Sequence, residues 1–67
     1  MSIPLVSIVI ATYHPNFRFF EMQLKSIEGQ TYKSIEVIIC DDSDDEEVLF
    51  RIKKVSESII KRFSLKV

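Results

Sequence analysis

The sequence has little of what several protein classes need. Its 67 residues include one cysteine, Cys40, and one glycine, Gly29. A single cysteine excludes an internal disulfide and a cysteine-based metal cage. A single glycine excludes the phosphate-binding loops that are built from several glycines. No apolar run approaches the roughly 18 residues that are needed to span a bilayer.

The sequence also lacks an excess of either charge. Nine Lys and Arg residues stand against ten Asp and Glu residues, which gives a formal net charge of −1. We therefore expect no nucleic-acid partner, because binding to a phosphate backbone depends on clustered positive charge. Residues 1–4 lack the basic start of a signal peptide, so we expect a cytoplasmic protein. A hydrophobic share of 46% predicts a packed chain.

Two apolar segments rich in β-branched residues predict strands at residues 5–11 and 35–40. The first is typical of a strand buried on both faces, and Cys40 in the second is expected to be a buried small hydrophobe. Glu36 lies near the start of the second strand, where its side chain can reach solvent. Phe63, Leu65 and Val67 alternate with polar residues, which predicts a third strand that begins near the end of the sequence.

Helical periodicity follows each of the first two strands. Asn16 is a predicted N-cap and Gly29 the predicted C′ residue of a first helix, whose apolar face consists of Phe17, Phe20, Leu24 and Ile27. Ser43 and Glu46 have the spacing of a capping box for a second helix, whose apolar face consists of Val48, Ile52, Val55, Ile59 and Phe63. Lys61 and Arg62 would complement the dipole at its carboxyl end.

The order β-α-β-α predicts an α/β fold, a Rossmann-like fragment with a parallel sheet whose two strands are joined by a crossover helix. Two parallel strands leave both sheet edges open. We therefore expect either further strands after Val67 or a second copy of the chain, that is, a homo-oligomer formed through the exposed sheet edges.

Ligands of open α/β sheets bind outside the carboxyl ends of the strands. Thr12 and Tyr13 follow the first strand, and Asp41 and Asp42 follow the second. A ring that can stack on a base would thus lie beside carboxylates that can accept hydrogen bonds from a base N–H or from ribose hydroxyls. This combination suits a nucleotide. Asp42, Ser43 and Asp44 spell D-x-D, but the glycine of a calcium loop is missing.

Three sequence blocks together resemble the opening of a family 2 glycosyltransferase: VSIVIATY at residues 6–13, QLxSIxxQTY at 23–32 and IEVIICDDS at 35–43. The resemblance implies a GT-A fold and a nucleotide-sugar donor, commonly UDP- or dTDP-linked. It implies that Thr12 and Tyr13 line the nucleotide pocket, with Tyr13 against the base. It also implies that Asp42 recognises the base while Asp41 supports the same loop. His14 stands where this family usually has Asn.

The family's metal-binding D-x-D and its catalytic base lie further along the chain. The resemblance thus makes residues 1–67 a partial domain, the N-terminal nucleotide-binding part, with no catalytic residue, metal ligand or cofactor of its own. A divalent metal, Mn²⁺ or Mg²⁺, is expected only for an intact domain. That intact protein would be cytoplasmic or lie at the cytoplasmic face of a membrane. We expect no sugar transfer by this segment alone.

Other interpretations remain open at this stage. Tyr13 could cover the core, Asp41 and Asp42 could be helix-start charges, and His14 could be a solvated loop residue. The chain could also be a receiver-like signalling fragment, although its acidic pair follows the second strand rather than the first. A third alternative is a non-catalytic βαβα assembly module that covers its edges with another copy.

Overall fold

Strands and helices alternate along residues 4–67, the part of the chain that the computed structural model describes. The elements are β1 (Val6–Thr12), α1 (Phe17–Glu28), β2 (Ile35–Asp41), α2 (Glu46–Ile59) and β3 (Ser64–Lys66). The predicted α/β fragment is confirmed, including its third strand. Residues 1–3, where we expect no signal peptide, lie outside the described residues. No helix within residues 4–67 is long and apolar enough to cross a membrane.

The sheet is parallel and has the order β1-β2-β3. β1 and β2 pair along their full lengths, from Val6 opposite Ile35 to Thr12 opposite Asp41. β3 pairs with only three residues of β2. Because β1 and β2 run in register, both strands end at the same level of the sheet.

The hydrophobic core lies on one face of the sheet, where α1 and α2 both pack. Its buried members are Ile10, Phe20, Leu24, Ile27, Ile35, Val37, Ile39, Ile52 and Ile60. The predicted burial of β1 on both faces is wrong, because no helix within residues 4–67 covers the other face. Val9 on that face is 61% exposed. Cys40 is exposed there too, which corrects the expectation that it is buried.

The start of α1 matches its prediction and its end differs in one detail. The Asn16 side chain accepts hydrogen bonds from the backbone N–H groups of Arg18 and Phe19, so the predicted N-cap is confirmed. Gly29 is the C-cap rather than the C′ residue, and its φ of −81° is open to any residue. The helix therefore ends without the left-handed conformation that favours glycine.

The predicted capping box at the start of α2 is wrong. The N-cap is Asp45, whose carboxylate accepts from the backbone N–H of Glu47 at 2.9 Å. Ser43 lies before the helix, where its hydroxyl contacts the end of β1 instead.

The end of α2 also differs from its prediction, because the helix stops before Phe63. Ile60 is its C-cap and is buried in an extended conformation, which turns the chain toward β3. Arg62 does not complement the dipole of α2. Its Nη1 donates to the carbonyl oxygens of Glu28 at 2.7 Å and Gln30 at 3.0 Å, at the carboxyl end of α1.

Leu24 lies fully buried in the middle of the core. We expect Leu24→Ala to lower the free energy of unfolding by about 2–5 kcal/mol, because the substitution removes buried methyl groups and leaves a cavity. A chain of this size rarely has more than about 3–5 kcal/mol of stability, so the variant should be largely unfolded. Urea denaturation followed by circular dichroism measures the loss.

Leu49→Ala is the matched control, because Leu49 is also helical but is exposed. Its loss should be a minor fraction of the loss at Leu24, since little apolar surface leaves a buried site. Equal losses from the two substitutions would contradict the one-sided core.

Candidate functional site

The four residues predicted for the site lie together at the carboxyl ends of β1 and β2. Thr12 and Asp41 are direct partners in the parallel register. The ladder continues one step further, since the Asp42 backbone N–H donates to the Thr12 carbonyl oxygen at 2.9 Å. Tyr13 follows Thr12 directly. Full-length pairing of the two strands is thus what brings these side chains to one edge of the sheet.

A chain of hydrogen bonds locks the two strand ends to each other. One oxygen of Asp41, Oδ1, accepts from the Thr12 hydroxyl at 2.7 Å and from the Ser43 hydroxyl at 2.8 Å. The Ser43 oxygen in turn accepts from the backbone N–H of His14 at 2.7 Å. We call these four residues the tip clamp. Residues 29 positions apart in the sequence are thereby held in one arrangement.

Asp41 is the charged member of the tip clamp, and its environment sets its protonation. Partial burial acts to raise the pKa of Asp41. Hydrogen bonds from the hydroxyls of Thr12 and Ser43, and from the Ser43 backbone, outweigh burial, so the pKa lies below the usual value of 3.8. The carboxylate is therefore ionised at neutral pH and its Oδ1 is occupied by these two hydroxyls.

Tyr13 and Asp42 differ from the tip clamp in being open to solvent. The Tyr13 ring is 67% exposed and meets the His14 ring edge-to-face, with 4.8 Å between the centroids. Asp42 uses its backbone N–H in the ladder while its side chain is exposed. The two predicted ligand-contacting side chains therefore stand on neighbouring strand ends with surface available for a ligand.

His14 has a backbone conformation that a non-glycine residue rarely adopts. Its φ is 41°, in the left-handed region, and its backbone N–H donates to the Ser43 hydroxyl oxygen. Its Nε2 also lies 3.3 Å from Oδ1 of Asp44. His14 is exposed, as a solvated loop residue would be, yet it links the two loops. Sequence reasoning missed this role, as it missed that of Ser43, because no local spacing pairs residues so far apart.

A cavity of about 240 Å³ opens on the other side of Tyr13, away from β2. The end of β1 forms one wall and α1 forms the other, and the lining residues are Ile10, Ala11, Thr12, Tyr13, Pro15, Asn16, Phe19, Phe20 and Gln23. Asp41 and Asp42 are not among them. Thr12 and Tyr13 thus separate two surfaces, the strand ends on one side and this cavity on the other.

The described residues do not fit a metal centre. Within residues 4–67, no three side chains of His, Cys, Asp or Glu converge on one point. Asp44 of the D-x-D sequence contacts His14, and the Asp42 side chain is exposed. Residues 4–67 therefore supply no ligand set for the divalent metal that is expected of an intact domain.

A comparison with curated proteins supports a glycosyltransferase-like fragment. The chain is 43% identical over 56 residues to UDP-Glc:alpha-D-GlcNAc-diphosphoundecaprenol beta-1,3-glucosyltransferase WfaP of Escherichia coli. The match covers 84% of this chain and 22% of the relative, so the chain spans about a fifth of that protein's length. No family model and no solved structure matches the chain.

The tip clamp predicts a pH-dependent contribution to stability. Because the pKa of Asp41 is lowered in the folded state, the contribution is present above pH 3.8 and is lost as the pH falls through the folded-state pKa. Thr12→Val removes one donor without changing the shape of the side chain. We expect the pKa of Asp41 to rise toward 3.8, as followed by carboxyl ¹³C NMR, and stability at pH 7 to fall by about 1 kcal/mol.

Thr31→Val makes the same chemical change at an exposed residue outside the strand ends. It should leave the titration of Asp41 unchanged. An unaltered Asp41 titration in Thr12→Val would show that the Thr12 hydroxyl does not stabilise the carboxylate.

Proposed function

We propose that the chain is the donor-binding segment of a family 2-like glycosyltransferase with a GT-A fold. The longer protein would transfer a sugar from a nucleotide-diphospho-sugar to an acceptor, and this segment would recognise the nucleotide. One observation carries the proposal: exposed Tyr13 and exposed Asp42 stand on adjacent strand ends that the tip clamp holds together. The similarity to WfaP supports the same class.

Each side chain would have a distinct role in nucleotide recognition. The exposed ring of Tyr13 offers a face on which a base stacks. The Asp42 carboxylate accepts a hydrogen bond from a ring N–H, a group that uracil and thymine both have. Thr12 and Asp41 would hold Tyr13 and Asp42 in place, because the Thr12 and Asp41 side chains already bond to each other.

The charges around the strand ends favour one direction for the donor diphosphate. The first turn of α2 carries Glu46 and Glu47, which repel an anion. The first turn of α1 carries no acidic residue, and Arg18 lies within it. We therefore place the diphosphate nearer to the start of α1, where Arg18 and the helix dipole favour negative charge.

The name of the relative supports a more specific donor and location. UDP-Glc in that name favours UDP over dTDP as the nucleotide that this chain would bind. The diphosphoundecaprenol acceptor in the same name carries a long apolar chain, which favours the cytoplasmic membrane face for the intact protein. As partner we propose a second copy of the chain, since the outer edge of β1 is unpaired within residues 4–67.

UDP binding tests the proposal directly. In an amide ¹H–¹⁵N NMR titration of the chain with UDP, we expect shifts confined to residues 12–14 and 41–44. Tyr13→Ala should weaken binding about tenfold or more, because base stacking on an aromatic ring contributes about 1–3 kcal/mol. Asp42→Asn should weaken it by a similar factor, since a charged acceptor of a base N–H is lost.

Two substitutions serve as matched controls. Phe50→Ala removes a ring that is 62% exposed on α2, and Glu57→Gln neutralises an exposed carboxylate on the same helix. Both should leave UDP affinity unchanged. Dispersed amide signals that do not move with UDP, or equal weakening by the controls, would overturn the proposal.

Sugar transfer is predicted to be absent from this segment. The described residues form no metal centre, and the side chains at the strand ends are assigned to nucleotide recognition. We expect purified chain incubated with UDP-glucose and Mn²⁺ to release no UDP above the blank, as measured by a coupled UDP assay. If the chain released UDP and the Asp42→Asn variant did not, the segment would be catalytic.

A further inference from the structure

The rings of Tyr13 and His14 contact each other although the two residues are neighbours in the sequence. Successive side chains of an extended chain point to opposite faces, so a contact between them needs a departure from extended backbone. His14 provides one, because its φ is 41°, in the left-handed region. The two rings are 89° apart in orientation, with 4.8 Å between their centroids.

His14 is held through both its backbone and its side chain by the loop that follows β2. Its backbone N–H donates to the Ser43 hydroxyl oxygen at 2.7 Å. Its Nε2 lies 3.3 Å from Oδ1 of Asp44. Because a carboxylate only accepts hydrogen bonds, Nε2 is the donor in this contact. The His14 ring is thus tied to the loop after β2 and touches the Tyr13 ring at the same time.

Tyr13 is a residue for which such support matters, because it is 67% exposed. An exposed side chain exchanges among rotamers, and a ligand that stacks on it must immobilise it at a cost in affinity. An edge-to-face neighbour restricts the ring before the ligand arrives. The contact occupies at most one face of the Tyr13 ring, so the other face is left for a base.

We propose that His14 is a positioning residue for nucleotide recognition. Anchored through Ser43 and Asp44, its ring fixes the Tyr13 ring in the orientation in which that ring stacks on the base. This inference rests on the proposed function and deepens it, since it assigns the loop after β2 a second task besides the carboxylate of Asp42. In this role His14 contacts neither the base nor the diphosphate.

The first test is His14→Asn, measured by the amide NMR titration with UDP. Asn adopts the left-handed backbone more readily than most residues but has no aromatic ring. We expect the UDP dissociation constant to rise roughly threefold to tenfold, as the loss of an aromatic pair predicts. The melting temperature should stay unchanged or rise. A merely structural role for His14 would lower stability and affinity together, and that outcome overturns the inference.

A double-mutant cycle and a second ligand show whether His14 acts through Tyr13. In a Tyr13→Ala background, His14→Asn should weaken UDP binding no further, because no ring is left to position. Uridine has the same base and no diphosphate, so His14→Asn should weaken uridine and UDP binding by the same factor. A full additional loss in the Tyr13→Ala background, or a loss for UDP alone, overturns the positioning role.

Nuclear Overhauser effects (NOEs) in the chain without nucleotide test the ring contact itself. We expect NOEs between the ring protons of His14 and Tyr13, and weaker ones in Asp44→Ala, which removes the side-chain anchor. Glu57→Ala is the matched control, because it removes an exposed carboxylate near the end of α2, and it should leave these NOEs unchanged. Equal NOEs in Asp44→Ala and the unmodified chain would overturn Asp44 as the anchor.

The two kinds of measurement separate this inference from the proposed function. Absence of the ring NOEs overturns the positioning role of His14 whether or not UDP binds. A chain that shows these NOEs but binds neither UDP nor uridine overturns the proposed function, and the inference with it.

Discussion

The parallel pairing of β1 with β2 is the constraint on which the rest of the structure depends. Seven consecutive residue pairs in register bring two loops, 29 residues apart in the sequence, to one edge of the sheet. Neither loop contains a site by itself. The first supplies an aromatic ring and a hydroxyl, and the second supplies carboxylates. A slip of the register by one residue would turn every side chain of the slipped strand to the opposite face and separate Thr12 from Asp41.

The two carboxylates at this edge differ in function because they differ in hydrogen bonding. Asp41 receives two hydroxyl donors at one oxygen, and these hold its charge in place and lower its pKa. Asp42, one position later, is exposed. By fixing the loop, Asp41 holds Asp42 in a defined position, and the oxygens of Asp42 stay available. This arrangement favours ligand recognition by Asp42 over Asp41.

Periodicity and spacing predicted the elements, the parallel order and the grouping of Thr12, Tyr13, Asp41 and Asp42, because those features follow from local pattern and topology. The donor and acceptor pairs across the strand ends were not predictable. Ser43 has the spacing of an N-cap, yet its hydroxyl bonds to Asp41 while Asp45 caps α2. The buried Ser56 interrupts an apolar stripe, but its hydroxyl donates to the Ile52 carbonyl at 2.6 Å, which makes its burial tolerable. A contact between the strand ends decided the role of Ser43, and a side-chain to backbone bond within α2 decided that of Ser56.

The one-sided core links the stability of the chain to its site. Both helices cover the same face of the sheet, so Val9, Ile38 and Cys40 form an apolar stripe on the other face, and the edge of β1 continues it. Burial of that stripe would add stability that the core of a 67-residue chain cannot supply alone. The edge of β1 ends at Thr12 and Tyr13. Any strand that pairs with this edge must therefore also order the strand end that contributes the aromatic ring.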